Sequence, residues 1–146
     1  MVTSGPVLGL DLGSRRIGLA VSDPEGRIAF PAGVLARQGR EKDLAALGDL
    51  VREREVSRIV VGLPIHMDGR SGPEAEAARA FSSALAEATG VPVELLDERW
   101  TSLEAERSLR QTQPRGRKGR GEVDTVAATI LLRTWLERQR GSACPS

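Results

Sequence analysis

A chain of 146 residues that is 40% hydrophobic and 28% charged has the length and composition of one globular domain. No run is long enough to span a membrane and no secretory signal pattern opens the chain, so we expect a cytoplasmic protein with no membrane partner. The formal net charge is only +1. The chain has one cysteine, Cys144, and one histidine, His66, and these numbers argue against a disulfide framework and against a zinc site. A bound metal would therefore rest on carboxylates.

The first predicted elements are two strands joined by a short turn. Residues 7–13, VLGLDLG, form a compact apolar run, and apolar residues alternate with small ones in residues 16–23, RIGLAVSD. Together they predict a β-hairpin. A third strand is predicted over residues 27–35, where Pro31 favours an edge position.

The middle of the chain alternates between helical and strand-like patterns. Leucine and valine recur at helical spacing over residues 41–55, and the short apolar run RIVVGLP follows from residue 58. Pro73 is suited to open the next helix and Gly90 to close it before the strand VPVELLD. These patterns predict helix, strand, helix and strand in succession.

The last third contains two predicted helices with a loop between them. Thr101 and Glu104 fit a capping box that opens a helix over residues 102–111. Residues 113–121 are rich in glycine and arginine and predict a mobile basic loop, and the tail from 141 to 146 is expected to be disordered. The final helix has an apolar face that includes Ala127, Leu131 and Trp135.

Antiparallel strands followed by alternating helices and parallel strands predict a mixed-sheet α/β fold with helices on both faces. We find no internal repeat and no linker, so residues 1–146 are expected to form a single domain.

Three acidic positions carry the functional argument. Asp11 lies inside the first apolar strand, where a lone ionised carboxylate is strongly disfavoured. Asp97 and Glu98 close the apolar strand in VELLDERW, where they are also typical of solvated strand ends. Asp124 precedes Ala128, Leu131 and Trp135 by four, seven and eleven positions, which places it beside the apolar stripe of the last helix. The alternative is that Asp124 only stabilises the helix, because a negative charge near a helix N-terminus is favourable without any catalytic role.

These carboxylates are more informative together than separately. With the first strand central and the strand VPVELLD beside it, Asp11 and Glu98 would converge, and a helix across the sheet would bring Asp124 to the same place. Carboxylates at such short range repel one another unless a cation is present. Oxygen-only ligands suit Mg²⁺ or Mn²⁺, and two such ions would serve an in-line phosphodiester displacement.

Clustered cations suggest a polyanionic partner. The loop PRGRKGR carries four cations within seven residues, and Arg15 and Arg16 lie at the predicted hairpin turn. These residues are candidates for phosphate contacts, which would make binding fall steeply with salt. Solvated loops are the simpler alternative for each. The candidate loop cations are Arg115, Arg117, Lys118 and Arg120.

Four stretches in order, GLDLGSRRIGLAVSD, VVGLPIHMDGRSG, LLDERWTS and KGRGEVDTVAATILLRTWLE, resemble the YqgF/RuvX family across residues 7–137. The resemblance implies an RNase H-like fold. Members are described either as nucleases for the precursor of 16S ribosomal RNA or as Holliday junction resolvases. His66 departs from the asparagine that related sequences often have.

The resemblance also implies roles for individual residues. Asp11, Glu98 and Asp124 match the catalytic, metal-binding positions, with Asp97 as a reserve ligand, and Arg99 matches a position suited to phosphate contact. The implied reaction is phosphodiester hydrolysis that leaves a 5′ phosphate.

Several hypotheses remain open at this stage. The first is a nuclease that processes the 5′ end of the 16S ribosomal RNA precursor, and a resolvase acting on branched DNA is its alternative. A non-catalytic nucleic-acid or ribosome-binding module is a hypothesis of another class. A third class is an ATP-using phosphotransferase, but such enzymes need two domains around a nucleotide cleft, and 146 residues are too few for two. Either a monomer or a homodimer is compatible with the sequence.

Overall fold

A five-stranded mixed sheet lies between helices on its two faces. The computed structural model describes residues 5–13, 15–64, 72–97 and 119–143, with side chains over 125–139 in the last range. The elements in chain order are β1 Val7–Leu12, β2 Arg16–Ser22, β3 Ala29–Ala36, α1 Arg40–Arg54, β4 Arg58–Leu63, α2 Pro73–Thr89, β5 Val93–Asp97 and α3 Gly119–Ala143.

The strand order is β3-β2-β1-β4-β5. β1 pairs antiparallel with β2 and β2 with β3, whereas β1 pairs parallel with β4 and β4 with β5. The predicted hairpin, the third strand at the edge and the mixed sheet are therefore confirmed. β1 is central, as predicted.

Local sequence signals explain where the middle helices end. Pro73 occupies the first turn of α2, where its missing N–H costs no hydrogen bond. Gly90 ends the helix with a φ of 74°, and its amide donates to the Ala86 carbonyl at 2.9 Å. The two boundaries predicted for α2 are confirmed.

The sheet is covered differently on its two faces. α1 and α2 cover one face, which we call the aliphatic face, and α3 covers the other, which we call the α3 face. The buried side chains of the aliphatic face are Leu8, Leu10, Ile17, Leu19, Leu47, Val51, Val56, Ile59, Val61, Phe81 and Leu85. Those of the α3 face are Val7, Ala20, Val60, Leu96, Ala127, Ala128, Ile130, Leu131, Leu132, Trp135 and Leu136.

A polar network holds α3 against the start of β4 and β5. The indole Nε1 of Trp135 donates to Glu94 at 3.0 Å, and Arg58 pairs with the other oxygen of Glu94 at 2.5 Å. The Arg58 guanidinium also lies 5.9 Å from the Trp135 ring centroid. β4, β5 and α3 are therefore linked through one carboxylate.

Two expectations need correction. β5 does not lie beside β1, because β4 pairs with β1 and β5 pairs on the outer side of β4. In addition, α3 begins at Gly119 and ends at Ala143, so residues 119–121 and 141–143 are helical rather than loop and tail. Glycine disfavours a helix by about 1 kcal/mol per residue, a cost that tertiary packing of the rest of α3 can offset.

Some sequence expectations lie outside the described residues. They are the helix over 102–111 with its capping box, most of the basic loop, and the end of the tail. In the part of the chain that is described, no helix combines the length and apolarity needed to cross a bilayer.

Candidate active site

Asp11 is buried in the central strand and lies on the α3 face. Its exposed fraction is 4%. Residues of β1 alternate between the faces: Val7 belongs to the core beneath α3, and a Cβ on Gly9 would come within 2.9 Å of Leu132 Cβ. Asp11 follows Gly9 by two positions and therefore shares its face.

Glycines flank Asp11 on both neighbouring strands. Gly18 on β2 is its direct partner in the antiparallel register. On β4, Gly62 follows Val61, which pairs with Leu10, so Gly62 lies beside Asp11. Side chains of directly paired residues share a face, and these two positions have none. The sheet surface on each side of the carboxylate is therefore bare backbone.

Sequence reasoning did not assign these two glycines to the site. A signal for them was present in the sequence, because RIGLAVS and RIVVGL each contain an isolated glycine inside a strand pattern. Glycine within a strand often marks a place where a ligand or another backbone approaches closely.

α3 runs opposite to β1 and brings Asp124 over the same end of the sheet. Gly9 faces Ala128 and Leu132. Two strand residues advance about 7 Å and four helix residues about 6 Å, so the stretch of α3 from position 124 to position 128 lies at the level of Asp11. A side-chain contact supports this placement, because Thr125 Oγ1 donates to the Leu19 carbonyl at 2.9 Å and Leu19 neighbours the Asp11 partner Gly18.

Asp97 ends β5 on the other face. Glu94 and Leu96 contact residues of the α3 face, whereas Val93 packs with the aliphatic core. Alternation therefore places Asp97 with Val93, away from Asp11. Asp97 is level with Leu63 at the same edge of the sheet where β1 ends. Glu98 lies outside the described residues.

The turn between β1 and β2 carries two of the predicted cations next to Asp11. Arg15 is exposed, and Arg16 is half-buried at the start of β2. Arg37 holds this turn in place: its backbone amide donates to the Arg15 carbonyl at 2.9 Å, and its guanidinium donates to the Gly13 carbonyl at 2.7 Å.

Arg37 is itself fixed by a buried acid. Asp43 is 2% exposed, accepts a hydrogen bond from the Gln38 amide at 2.9 Å and pairs with Arg37 at 3.6 Å. The guanidinium also lies 5.6 Å from the Phe81 ring centroid. A rigid support from α1 and α2 therefore holds the turn that follows Asp11.

Of the predicted carboxylate set, the structure describes the side chains of Asp11 and Asp97. Among the side chains described over residues 5–13, 15–64, 72–97 and 125–139, no three of His, Cys, Asp or Glu form a group that could hold a metal ion. The side chain of Asp124 and all of Glu98 lie beyond that description, as do Arg99, Arg115, Arg117, Lys118 and the side chain of Arg120. Convergence of the three carboxylates stays a prediction.

Comparison with known proteins gives the same family from sequence. The model of the family RuvX, described as Holliday junction resolvase, matches residues 5–138. A protein of Anaeromyxobacter dehalogenans (strain 2CP-C) is 50% identical over 132 residues, covering 90% of this chain and 96% of its own. Another from Chloroflexus aurantiacus (strain ATCC 29366 / DSM 635 / J-10-fl) is 43% identical over 136 residues, covering 93% and 89%. Both are named "Putative pre-16S rRNA nuclease".

Solved structures confirm the fold. The RuvC chain in "T. thermophilus RuvC in complex with Holliday junction substrate" superposes with a TM-score of 0.62 at 16% identity, covering 97% of this chain and 99% of that one. A second structure, of Thermus thermophilus RuvC, gives a TM-score of 0.57 at 17% identity. The predicted mixed-sheet, RNase H-like α/β fold is confirmed.

Proposed function

The chain belongs to the RuvX family, and from that premise we propose that it is a nuclease that hydrolyses phosphodiester bonds in the precursor of 16S ribosomal RNA. The nuclease class agrees with the family description and with the names of relatives that are about half identical to the chain. The observation that carries the proposal is a buried Asp11 between two glycines beneath the start of α3.

The residues at this place fit a divalent cation. A carboxylate is a hard oxygen ligand of the kind that Mg²⁺ and Mn²⁺ prefer, and Gly18 and Gly62 put no side chain of the neighbouring strands beside it. We propose Asp11, Glu98 and Asp124 as the residues that hold two such ions. Because β5 alternates and Asp97 lies on the other face, Glu98 is the better candidate than the reserve ligand Asp97.

Two strand spacings, about 10 Å, separate β1 from β5. A cation shared by Asp11 and a residue that follows β5 would therefore lie over β4, where Gly62 has no side chain. A glycine at that position is what such an arrangement requires.

The protein's own groups would supply position and charge. When bound, the ions would ease deprotonation of the attacking water and stabilise the departing 3′ oxygen. Asp11, held in a central strand, would give a bound ion a ligand with little freedom of movement. Arg15 and Arg16, held by Arg37, would neutralise neighbouring phosphates of the substrate backbone.

A cleavage assay tests this function directly. Wild type and Asp11→Asn are compared in Mg²⁺ and in Mn²⁺, on a precursor RNA fragment and on a four-way DNA junction. We expect Asp11→Asn to lose several kcal/mol of transition-state stabilisation, which corresponds to a fall of about 10³-fold in kcat. Substrate binding should stay intact or become tighter, because a negative charge is removed. Glu98→Gln and Asp124→Asn are expected to behave alike.

The matched control is Asp49→Asn, which changes an exposed carboxylate of α1, on the opposite face of the sheet. It should retain cleavage. Full cleavage by Asp11→Asn would refute the mechanism, and no cleavage of either substrate by wild type would favour a non-catalytic binding module.

Branched DNA is the second candidate substrate, because the matching family model is described as Holliday junction resolvase. The same assay separates the two: faster cleavage of the junction than of the RNA would assign a resolvase. A homodimer in solution would then be expected, since a junction has two strands to cut.

Phosphate contact by the basic loop is tested by salt dependence. Replacing Arg115, Arg117, Lys118 and Arg120 with alanine should weaken binding and flatten the slope of log affinity against log salt. An unchanged slope would exclude these residues from the interface.

A further inference from the structure

Thr125 makes an unusual pair of hydrogen bonds to the sheet. Its Oγ1 donates to the Leu19 carbonyl of β2 at 2.9 Å and accepts from the Gly33 amide of β3 at 3.2 Å. Position 125 immediately follows Asp124 in α3. One hydroxyl therefore joins the beginning of α3 to two strands at once.

The partner groups are those released by a β-bulge. Leu19 pairs with Gly33 and Ala20 with Pro31, so Ala32 is an extra residue in β3 and the ladder shifts at this point. Gly33 has a φ of 99°, a conformation that side chains rarely adopt. The irregularity turns a carbonyl and an amide toward α3, where Thr125 satisfies both.

The other described threonines of α3 bond differently. Thr129 Oγ1 donates to the Thr125 carbonyl at 2.7 Å, and Thr134 Oγ1 donates to the Ile130 carbonyl at 2.8 Å. Both bonds stay within the helix, as is common for threonine. Thr125 instead uses its hydroxyl to hold the helix on the sheet.

This anchor lies close to Asp11 in the sheet. Leu19 pairs with Leu10, and the next pair along the ladder is Asp11 with Gly18. We propose that Thr125 is a positioning residue that fixes the first turns of α3 and thereby sets the place of Asp124 relative to Asp11. This inference rests on the proposed function, in which Asp124 holds a divalent cation.

The test measures Mn²⁺ affinity by calorimetric titration of the full chain, alongside kcat and KM for cleavage. Thr125→Val keeps the shape of the side chain and removes both hydrogen bonds. Loss of a group that orients a metal ligand typically lowers metal affinity about 10- to 100-fold. We expect Thr125→Val to weaken Mn²⁺ binding by about that factor. Its kcat should fall, and its KM should change little. Thr125→Ser keeps the hydroxyl and should restore most of the affinity.

Thr134→Val is the matched control, because it removes a threonine hydroxyl from the same helix where that hydroxyl bonds only within α3. It should leave Mn²⁺ affinity unchanged. If the Thr125→Val protein does not fold, Thr125→Ala removes the same hydroxyl and gives the same readout. Unchanged Mn²⁺ affinity in the hydroxyl-free variant, or an equal loss in Thr134→Val, would overturn the proposal.

Asp124→Asn separates this inference from the proposed function. Weaker Mn²⁺ binding in Asp124→Asn with none in Thr125→Val would refute the positioning role alone. Unchanged binding in Asp124→Asn would refute Asp124 as a ligand and the positioning role with it.

Discussion

The two faces of the sheet are built from the same strands but from different kinds of residue. On the aliphatic face, β1 and β2 present Leu8, Leu10, Ile17 and Leu19, all buried. On the α3 face, the same two strands present mainly small residues and one acid. They include Val7, Gly9, Asp11, Gly18 and Ala20.

This difference separates stability from chemistry within a single strand. Large side chains on the aliphatic face bury apolar area, which is the main source of folding free energy. Small residues on the α3 face allow α3 to approach closely and put no neighbouring strand side chain beside the Asp11 carboxylate. Changes at successive residues of β1 are therefore expected to affect stability and cleavage in different proportions.

The largest loss of stability is expected for Leu10→Ala. Leu10 is fully buried on the aliphatic face, and removing such a side chain typically costs about 2 to 5 kcal/mol through lost burial and the cavity left behind. Urea denaturation measures the loss. Cleavage per folded molecule should be retained, and a specific loss of cleavage would show that the two faces are not independent.

A smaller loss of stability with a larger loss of activity is expected for Gly9→Ala. The added Cβ would lie 2.9 Å from Leu132 Cβ and 3.4 Å from the Ala128 carbonyl, so α3 must move outward. Overpacking of this kind costs about 1 to 3 kcal/mol. Comparison of urea midpoints and kcat measures both effects.

Gly48→Ala in α1 is the control for Gly9→Ala. Its added Cβ meets only the end of the Arg52 side chain, at 3.7 Å, and alanine favours a helix. Stability should stay the same or rise. If Gly9→Ala behaves like Gly48→Ala, the close approach of α3 is not a constraint.

A modest gain in stability is expected for Ser82→Ala. Ser82 is buried in α2, and its hydroxyl finds no hydrogen-bond partner among the described residues. Removing an unsatisfied buried hydroxyl should stabilise the protein by about 1 kcal/mol. Thermal denaturation tests this, with Thr89→Val as the opposite case, because the Thr89 hydroxyl donates to the Leu85 carbonyl at 2.8 Å. A loss of stability in Ser82→Ala would disprove the argument.

The smallest effect is expected at the turn between β2 and β3, which belongs to neither face. Backbone amides of Ile28 and then Arg27 donate to Asp23 and hold its pKa below the ordinary value of 3.8. Folding therefore favours the charged carboxylate of Asp23. Its contribution to the free energy of unfolding is complete above about pH 4 and is lost as the pH falls through the lowered pKa. Urea titrations from pH 2 to 5 should show wild type and Asp23→Asn converging at the acid end; a constant difference would contradict this.

Much of the fold follows from patterns within the sequence. Alternation in residues 16–23, Pro73 and Gly90 are local signals, and local physics decides them. The position of β5 was wrong because pairing between distant strands depends on which crossover packs best, and no local residue encodes it. The early start of α3 was missed because glycines in residues 119–121 lower helix propensity, whereas tertiary packing decides the outcome.

The candidate site was only partly predictable for a related reason. Asp11 was identified because an acid in an apolar strand is costly, and the structure confirms that it is buried. The neighbours Gly18 and Gly62 depend on strand register, and the Thr125 anchor depends on a bulge in β3 that the sequence does not reveal. Roles of Glu98 and Asp124 stay predictions.

The hydrogen bond from Thr125 to Leu19 spans 106 positions of the chain. A ribosome adding about 5 to 20 residues per second would expose β1 and β2 for roughly 5 to 20 seconds before α3 is made. During translation β1 therefore lacks the cover of α3 until the end of the chain is made. Protease digestion of stalled nascent chains of increasing length should show protection of β1 only once α3 has left the exit tunnel.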